Sequence, residues 1–168
     1  MIQQGYVSQM ARYNRWQNDL AVGAADGLDD AGLRLDRGAF FGSVLRTFSH
    51  ILWADAAWMA RIDGWAPPTT PFAQSTEHVT DWMAFKSERH QMDDRILAWA
   101  SRISNEALSE DRDWRPGGTG EKRSLPVAVC VMQMFNHQTH HRGQIHAMLT
   151  AAGQPGWVTD LPFLPDDI

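Results

Sequence analysis

Apolar residues recur at helical rather than strand spacing along most of the chain. In GYVSQMARYNRWQNDLAVGAA, Tyr6, Met10, Tyr13, Gln17, Leu20 and Ala24 keep that spacing and predict a first helix over roughly 3–25. The Gly- and Asp-rich stretch GLDDAGLRLDRGAFFGS reads as a loop holding a short helical turn. Ser43 is a plausible N-cap for a second helix, VLRTFSHILWADAAWMARI, which stops at Gly64. After the Pro-rich break WAPPTTPFAQ, a third helix is expected from Ser75–Thr76 to about Ile103. Trp82, Phe85, Met92, Ile96 and Ile103 share one side of it, and charged residues fill the other. SEDRDWRPGGTGEKRSLPV fits a loop or short hairpin, with RPGGTG as a turn. A fourth helix begins near Leu125–Pro126 and ends at AAGQPG, where Gly153 can take the left-handed cap and Pro155 blocks continuation. In the irregular tail, Trp157, Leu161, Phe163 and Leu164 are expected to pack back onto the body. Four long helices without a strong strand pattern predict an all-α four-helix bundle, in one domain spanning 1–168.

Composition narrows the function classes. The chain has 168 residues and a net charge of −5, and no run of Lys and Arg is denser than the EKR at 121–123. A nucleic-acid partner would call for a basic stripe, so none is expected. No apolar run is long enough to span a bilayer, and the N-terminal stretch lacks a signal-peptide layout. A single cysteine, Cys130, allows no intrachain disulfide, so a cytoplasmic setting is expected.

The candidate chemistry lies in FNHQTHHRGQIHAML, which holds four of the seven histidines. At about 100° per residue, His137 and His141 lie one turn apart, in a sector shared with Cys130, Met134, Ile145 and Met148. Both rings should therefore point inward, whereas His140 lies to one side and His146 is on the far face with Arg142. Such a pair is either two core histidines bonded to neighbours or two metal ligands, and spacing alone leaves the choice open. A third ligand would be needed, and His50, in the middle of the second helix, is the best-placed candidate. His78 and His90 read as solvated positions on the third helix. The ridge Phe48–Leu52–Met59 lies mostly opposite His50, so that either His50 faces water or the helix is buried on two sides. In the second case Ala54 and Ala57 would leave room for an ion and water.

The ordered segments MARYNRWQNDL (10–20), SHILWADAAW (49–58), NHQTHHRGQI (136–145), AAGQPG (151–156) and DLPFL (160–164) resemble the DinB-like (damage-inducible) superfamily over nearly the whole length. The resemblance implies a four-helix bundle, commonly a homodimer, with a divalent metal held by one histidine of the second helix and two of the last. By position these are His50, His137 and His141. It also implies thiol-dependent transferases and isomerases beside members without assigned activity, and no contact with DNA.

Three neutral imidazoles on one ion leave a position for water or substrate, the arrangement of catalytic sites. Zinc or nickel suits such ligands, and iron is also compatible. The expected activity is thiol-dependent transferase or hydrolase-like chemistry on a small molecule; the alternatives are a structural ion bracing the helices, or a metal-free dimerising bundle with tryptophans at its interface. Cys130, two turns before His137, should be a buried thiol rather than a ligand. Asn136, Gln144, Asp55 and Arg89 could orient the rings but read as surface or packing residues, and helix-to-helix hydrogen bonding is expected of Asn14 and Arg142.

Overall fold

The computed structural model of the protein describes residues 1–115 and 120–168. Four long helices, α1 (Gln4–Ala25), α3 (Val44–Asp63), α4 (Trp82–Ala100) and α6 (Val127–Ala151), form the bundle. Short helices α2 (Asp30–Arg34) and α5 (Asn105–Ser109) lie in the connections. Strands β1 (Asp111–Trp114) and β2 (Arg123–Pro126) pair antiparallel just before α6, with Asp111 opposite Pro126 and Trp114 opposite Arg123. This is the expected hairpin, although the centre of its turn, residues 116–119, lies outside the described residues. α3 packs on α6 and α4, and α1 packs on α4 and α6. Among the described residues, no helix is long and apolar enough to cross a membrane.

Local chemistry accounts for most boundaries. The Ser43 hydroxyl accepts the Arg46 N–H at 3.3 Å and starts α3. Gly64 ends it at φ 69°, a left-handed position that a side chain would strain. The third long helix differs from expectation at both ends. It starts at Trp82, where the Asp81 carboxylate accepts the Ala84 N–H at 2.7 Å, and it ends at Ala100. The segment Phe72–Glu77 is instead a 3-10 turn docked on α3. The Val79 N–H donates to Ser49 Oγ at 3.0 Å, Arg46 donates to Thr76 Oγ1 at 2.9 Å, and the Trp53 indole donates to the Thr70 carbonyl at 2.8 Å. Those bonds to α3 replace the helical ladder.

The tail also departs from expectation. Trp157 and Leu164 are half-buried, but Leu161 and Phe163 remain exposed. Polar groups hold the tail: the Tyr13 hydroxyl donates to the Thr159 carbonyl at 2.6 Å, Gln17 donates to Val158 at 3.0 Å, and Arg12 donates to the carbonyls of Pro165, Asp166 and Ile168. All eight tryptophans are buried or half-buried within the chain.

A polar layer crosses the middle of the bundle. One apolar cluster, around Trp99, Met134 and Phe135, fills one end, and a second, around Phe48, Phe85 and Ile145, fills the other. Between them lie Asn14 and Asn18 of α1, Asp55 of α3, Arg89 and Asp93 of α4, and Gln138 and Arg142 of α6, all buried. Arg89 donates to Asp55 at 2.6 Å and grips the Asp93 carboxylate with two bonds of 3.0 and 2.7 Å. Asn18 donates to both Asp93 oxygens, and Gln138 donates to Asp55. Arg142 donates to Asn14, Asn18 and Gln138. Both carboxylates thus meet Arg89, Arg142 joins them through neutral amides, and one hydrogen-bonded network links all four long helices. Arg142 is on the face of α6 turned away from His137 and His141, and that face packs against α1. Asp55 and Arg89 are helix-packing residues, as are Asn14 and Arg142.

Candidate metal centre

Because α3 is buried on two sides, its apolar ridge and His50 both point into protein. Phe48, Ile51 and Leu52 enter the core cluster, while His50, at 5% exposure, faces α6. This resolves the choice that the sequence left open. On α6, His137 is half-buried and His141 is buried, and both turn toward His50. His137 Nε2 lies 3.1 Å from Nε2 of His50 and 3.1 Å from Nε2 of His141. One nitrogen from each of the three rings falls within 4.8 Å of the others.

The outer nitrogens set the tautomers. Nδ1 of His141 lies 2.8 Å from the Gln144 amide oxygen, which can only accept, so Nδ1 carries the proton and Nε2 keeps its lone pair. Nδ1 of His50 lies 2.9 Å from Ser75 Oγ, which can accept in the same way. Nδ1 of His137 is buried without a partner. With the other two lone pairs facing it, either tautomer of His137 leaves a buried nitrogen unsatisfied, which is costly. The donor set suits a cation. Ligand nitrogens about 2.0–2.1 Å from an ion stand roughly 2.9–3.4 Å apart for angles between a right angle and the tetrahedral value, and the two separations here are 3.1 Å.

The three rings are held neutral. Burial first, and repulsion from His141 second, push His50 down to about 4. Burial followed by repulsion from His141, His50 and His140 pushes His137 to about 3. Burial also lowers His141, against an upward pull from its bond to Gln144. A pKa depressed by folding means that the unfolded chain binds more protons below the ordinary value of 6.5. Stability from these rings is therefore present above 6.5 and is lost as pH falls toward 4 and 3. Metal-stripped protein should show a melting temperature that falls over this window more steeply than that of His137→Leu; carboxylates common to both proteins cancel in the comparison. Equal slopes would contradict the neutral-ring assignment.

Aromatic residues wall the centre. The Phe41 ring centroid stands 4.2 Å from that of His50 and 5.2 Å from that of His141. Trp53 stacks beside His50 at 6.4 Å, and Phe72 packs on Trp53 at 5.6 Å. Trp53 and Phe72 also line a cavity of about 480 Å3 that reaches Arg61.

The other sequence candidates separate cleanly. His140 is exposed, whereas His146 is half-buried against Trp157, with centroids 4.3 Å apart. His90 is exposed beside Asp94. His78 is not on the third helix; it caps the 3-10 turn, half-buried and 2.9 Å from the Thr70 hydroxyl. Cys130 is buried in the apolar cluster, and that burial raises its thiol pKa. Asn136 is exposed, but Gln144 does orient a ring. Ser75 and Phe41 were not anticipated; both lie in connections, and their contacts with the centre leave no helical period to read.

A four-helix bundle with three imidazoles converging from its second and last long helices is the class of protein that this arrangement defines. The DinB family model matches residues 1–167, and the chain belongs to the DinB family. It is 23% identical over 161 residues to Protein DinB of Bacillus subtilis (strain 168), a match covering 92% of this chain and 91% of that protein. The crystal structure of a DinB-like protein from Bacillus cereus ATCC 10987 aligns with a TM-score of 0.63 at 20% identity, covering 84% of this chain and 91% of that one. The second likeness is one of fold. Family and geometry together are compatible with metal binding by the three histidines.

Proposed function

We propose that His50, His137 and His141 hold a divalent transition ion, zinc or nickel by ligand type, with iron also compatible, and that the protein is a metal-dependent enzyme acting on a small molecule. The observation that supports this most directly is the convergence of three Nε2 atoms at 3.1 Å contacts, with two of the outer nitrogens turned to acceptors. When bound, such an ion lowers the pKa of a coordinated water or thiol and stabilises developing negative charge. The chain's own residues would do the rest. Ser75 and Gln144 fix the rings, Phe41 shields two of them from water, and the cavity beside Trp53 offers apolar walls to a substrate. The reaction class is transfer of a small thiol to an electrophile or hydrolysis of a small substrate.

The enzymatic reading is favoured over a structural brace because α3 and α6 are already joined, through Gln138 and Asp55 and through both apolar clusters. The test is metal analysis of protein purified without a metal-affinity tag, together with His50→Ala, His141→Ala and Gln144→Leu. We expect about one ion per wild-type chain, none in the two alanine variants, and an affinity about 10–100-fold weaker in Gln144→Leu. Metal-loaded wild type should accelerate thiol addition to an electrophile or hydrolysis of an ester, and His50→Ala should not. Wild type without stoichiometric metal would refute the ligand assignment; a tightly held ion inert in both assays would refute the enzymatic reading alone.

A further inference from the structure

The face of α6 turned away from His137 and His141 lines a second enclosure. Thr139, Arg142, Gly143 and His146 lie about 100–200° around the helix from His141. With Tyr13 of α1 and Trp157 of the tail, they bound a cavity of about 330 Å3. His50, His137 and His141 are not among the residues lining it.

Arg142 is only 5% exposed. Its Nη1 serves three neutral acceptors, the side-chain oxygens of Asn14, Asn18 and Gln138. Its Nε and Nη2 donate to no acceptor among the described residues. Unlike Nδ2 of Asn14, they are not sealed from solvent, and Arg142 lines the cavity. Arg89 shows what this edge of a guanidinium does, since its Nε and Nη2 clamp the Asp93 carboxylate side-on at 3.0 and 2.7 Å. Arg142 presents the same edge unfilled. Both nearby carboxylates bond to Arg89 and neither bonds to Arg142, so the buried cation lacks a direct counter-ion. Burial accordingly lowers its pKa to about 10.

We propose that this cavity binds a small organic monocarboxylate, its two oxygens meeting the Nε/Nη2 edge of Arg142 and its apolar body lying between Tyr13 and the tilted His146–Trp157 pair. A single negative charge matches the one open guanidinium edge. A phosphate dianion would leave excess charge beside Asp55 and Asp93, with no second Arg or Lys among the residues lining the cavity. The aromatic walls suit a planar acid: the Tyr13 ring lies 5.7 Å from the Arg142 guanidinium carbon, and Trp157 stands 4.3 Å from His146. A ligand here would touch α1, α6 and the tail together, and would tighten the tail that Tyr13 and Gln17 already hold.

The test is a titration of the full chain with benzoate, followed by proton–nitrogen correlation spectra of the Arg142 Nε–H and the Trp157 indole. Saturable shifts of both are expected in wild type and equally in His141→Ala, which separates this site from the histidine centre. Benzamide, the uncharged isostere, should bind weaker by about tenfold or more. Arg142→Ala disrupts the buried layer, so Gly143→Leu is the informative variant. An added Cβ there meets no atom within 4 Å, so the fold is kept while the larger side chain obstructs the cavity. It too should weaken benzoate by about tenfold or more. Benzoate that moves neither resonance, benzamide binding equally well, phosphate binding more tightly, or full binding by Gly143→Leu would each overturn the proposal.

Discussion

Arg89→Met is expected to destabilise the protein by about 3–5 kcal/mol, out of a total that for most domains lies around 5–15 kcal/mol. Arg89 is 3% exposed, and its partners Asp55 and Asp93 are 1% and 2% exposed. Removing the guanidinium leaves two buried carboxylates, one supported by Gln138 and the other by Asn18. Methionine fills the volume, so the loss is electrostatic rather than a cavity effect. Burial already raises both carboxyl groups, opposed chiefly by Arg89. Without it both should rise further, and the variant should regain stability as pH falls and the acids take up protons. Neutralising the acids as well, in Arg89→Met/Asp55→Asn/Asp93→Asn, should recover most of the loss. Urea unfolding of the three proteins at two pH values tests this. A single variant within about 1 kcal/mol of wild type would show that the layer does not depend on its central cation.

That layer was also the part of the fold least legible beforehand. The helix ends at Ser43, Gly64 and Gly153 follow from single residues with strong backbone preferences, and they stand where the sequence put them. The start of α4 was misread for a similar reason. Ser75–Thr76 looks like an N-cap, but its serine is turned to His50, and Asp81 caps the helix six residues later. From the sequence Arg89 reads as a surface or packing residue and Arg142 as a helix-to-helix hydrogen bonder, but neither is aimed, because the partners that make a buried charge tolerable lie on other helices. A signal was nonetheless present. Asn14/Asn18, Arg89/Asp93 and Gln138/Arg142 are polar pairs at i,i+4, each beside residues of the apolar clusters on its own helix. Three such pairs suggest a shared interior layer more than three accidental surface patches. The inward turn of His137 and His141 came from their own helical period. That of His50 did not, since a helix buried on two sides offers no single apolar face to reason from. There the family resemblance supplied the expectation, and the structure shows the ring facing the other two.

His137→Leu should have the second large effect, with opposite signs in the two forms of the protein. His137 is the only one of the three rings whose Nε2 stands 3.1 Å from both others, so under the proposed assignment its loss leaves two nitrogens and no closed set. Affinity for zinc or nickel should fall by at least about 100-fold, and with it the thermal stabilisation that saturating metal confers on wild type. The metal-free proteins should rank the other way. In wild type the His137 ring buries an Nδ1 without a partner and sets an Nε2 against two lone pairs. Leucine removes both penalties between the rings of His50 and His141, and should raise the apo melting temperature by a few degrees, corresponding to about 1–2 kcal/mol. His141→Leu is the informative contrast, because it strands the Gln144 amide oxygen and should gain less. A residue retained for packing alone would cost stability in both forms when replaced, so calorimetry of each variant with and without metal separates the two cases. If apo His137→Leu melts below apo wild type, the three rings are a satisfied part of the core, and the convergence of their nitrogens is no sign of a ligand.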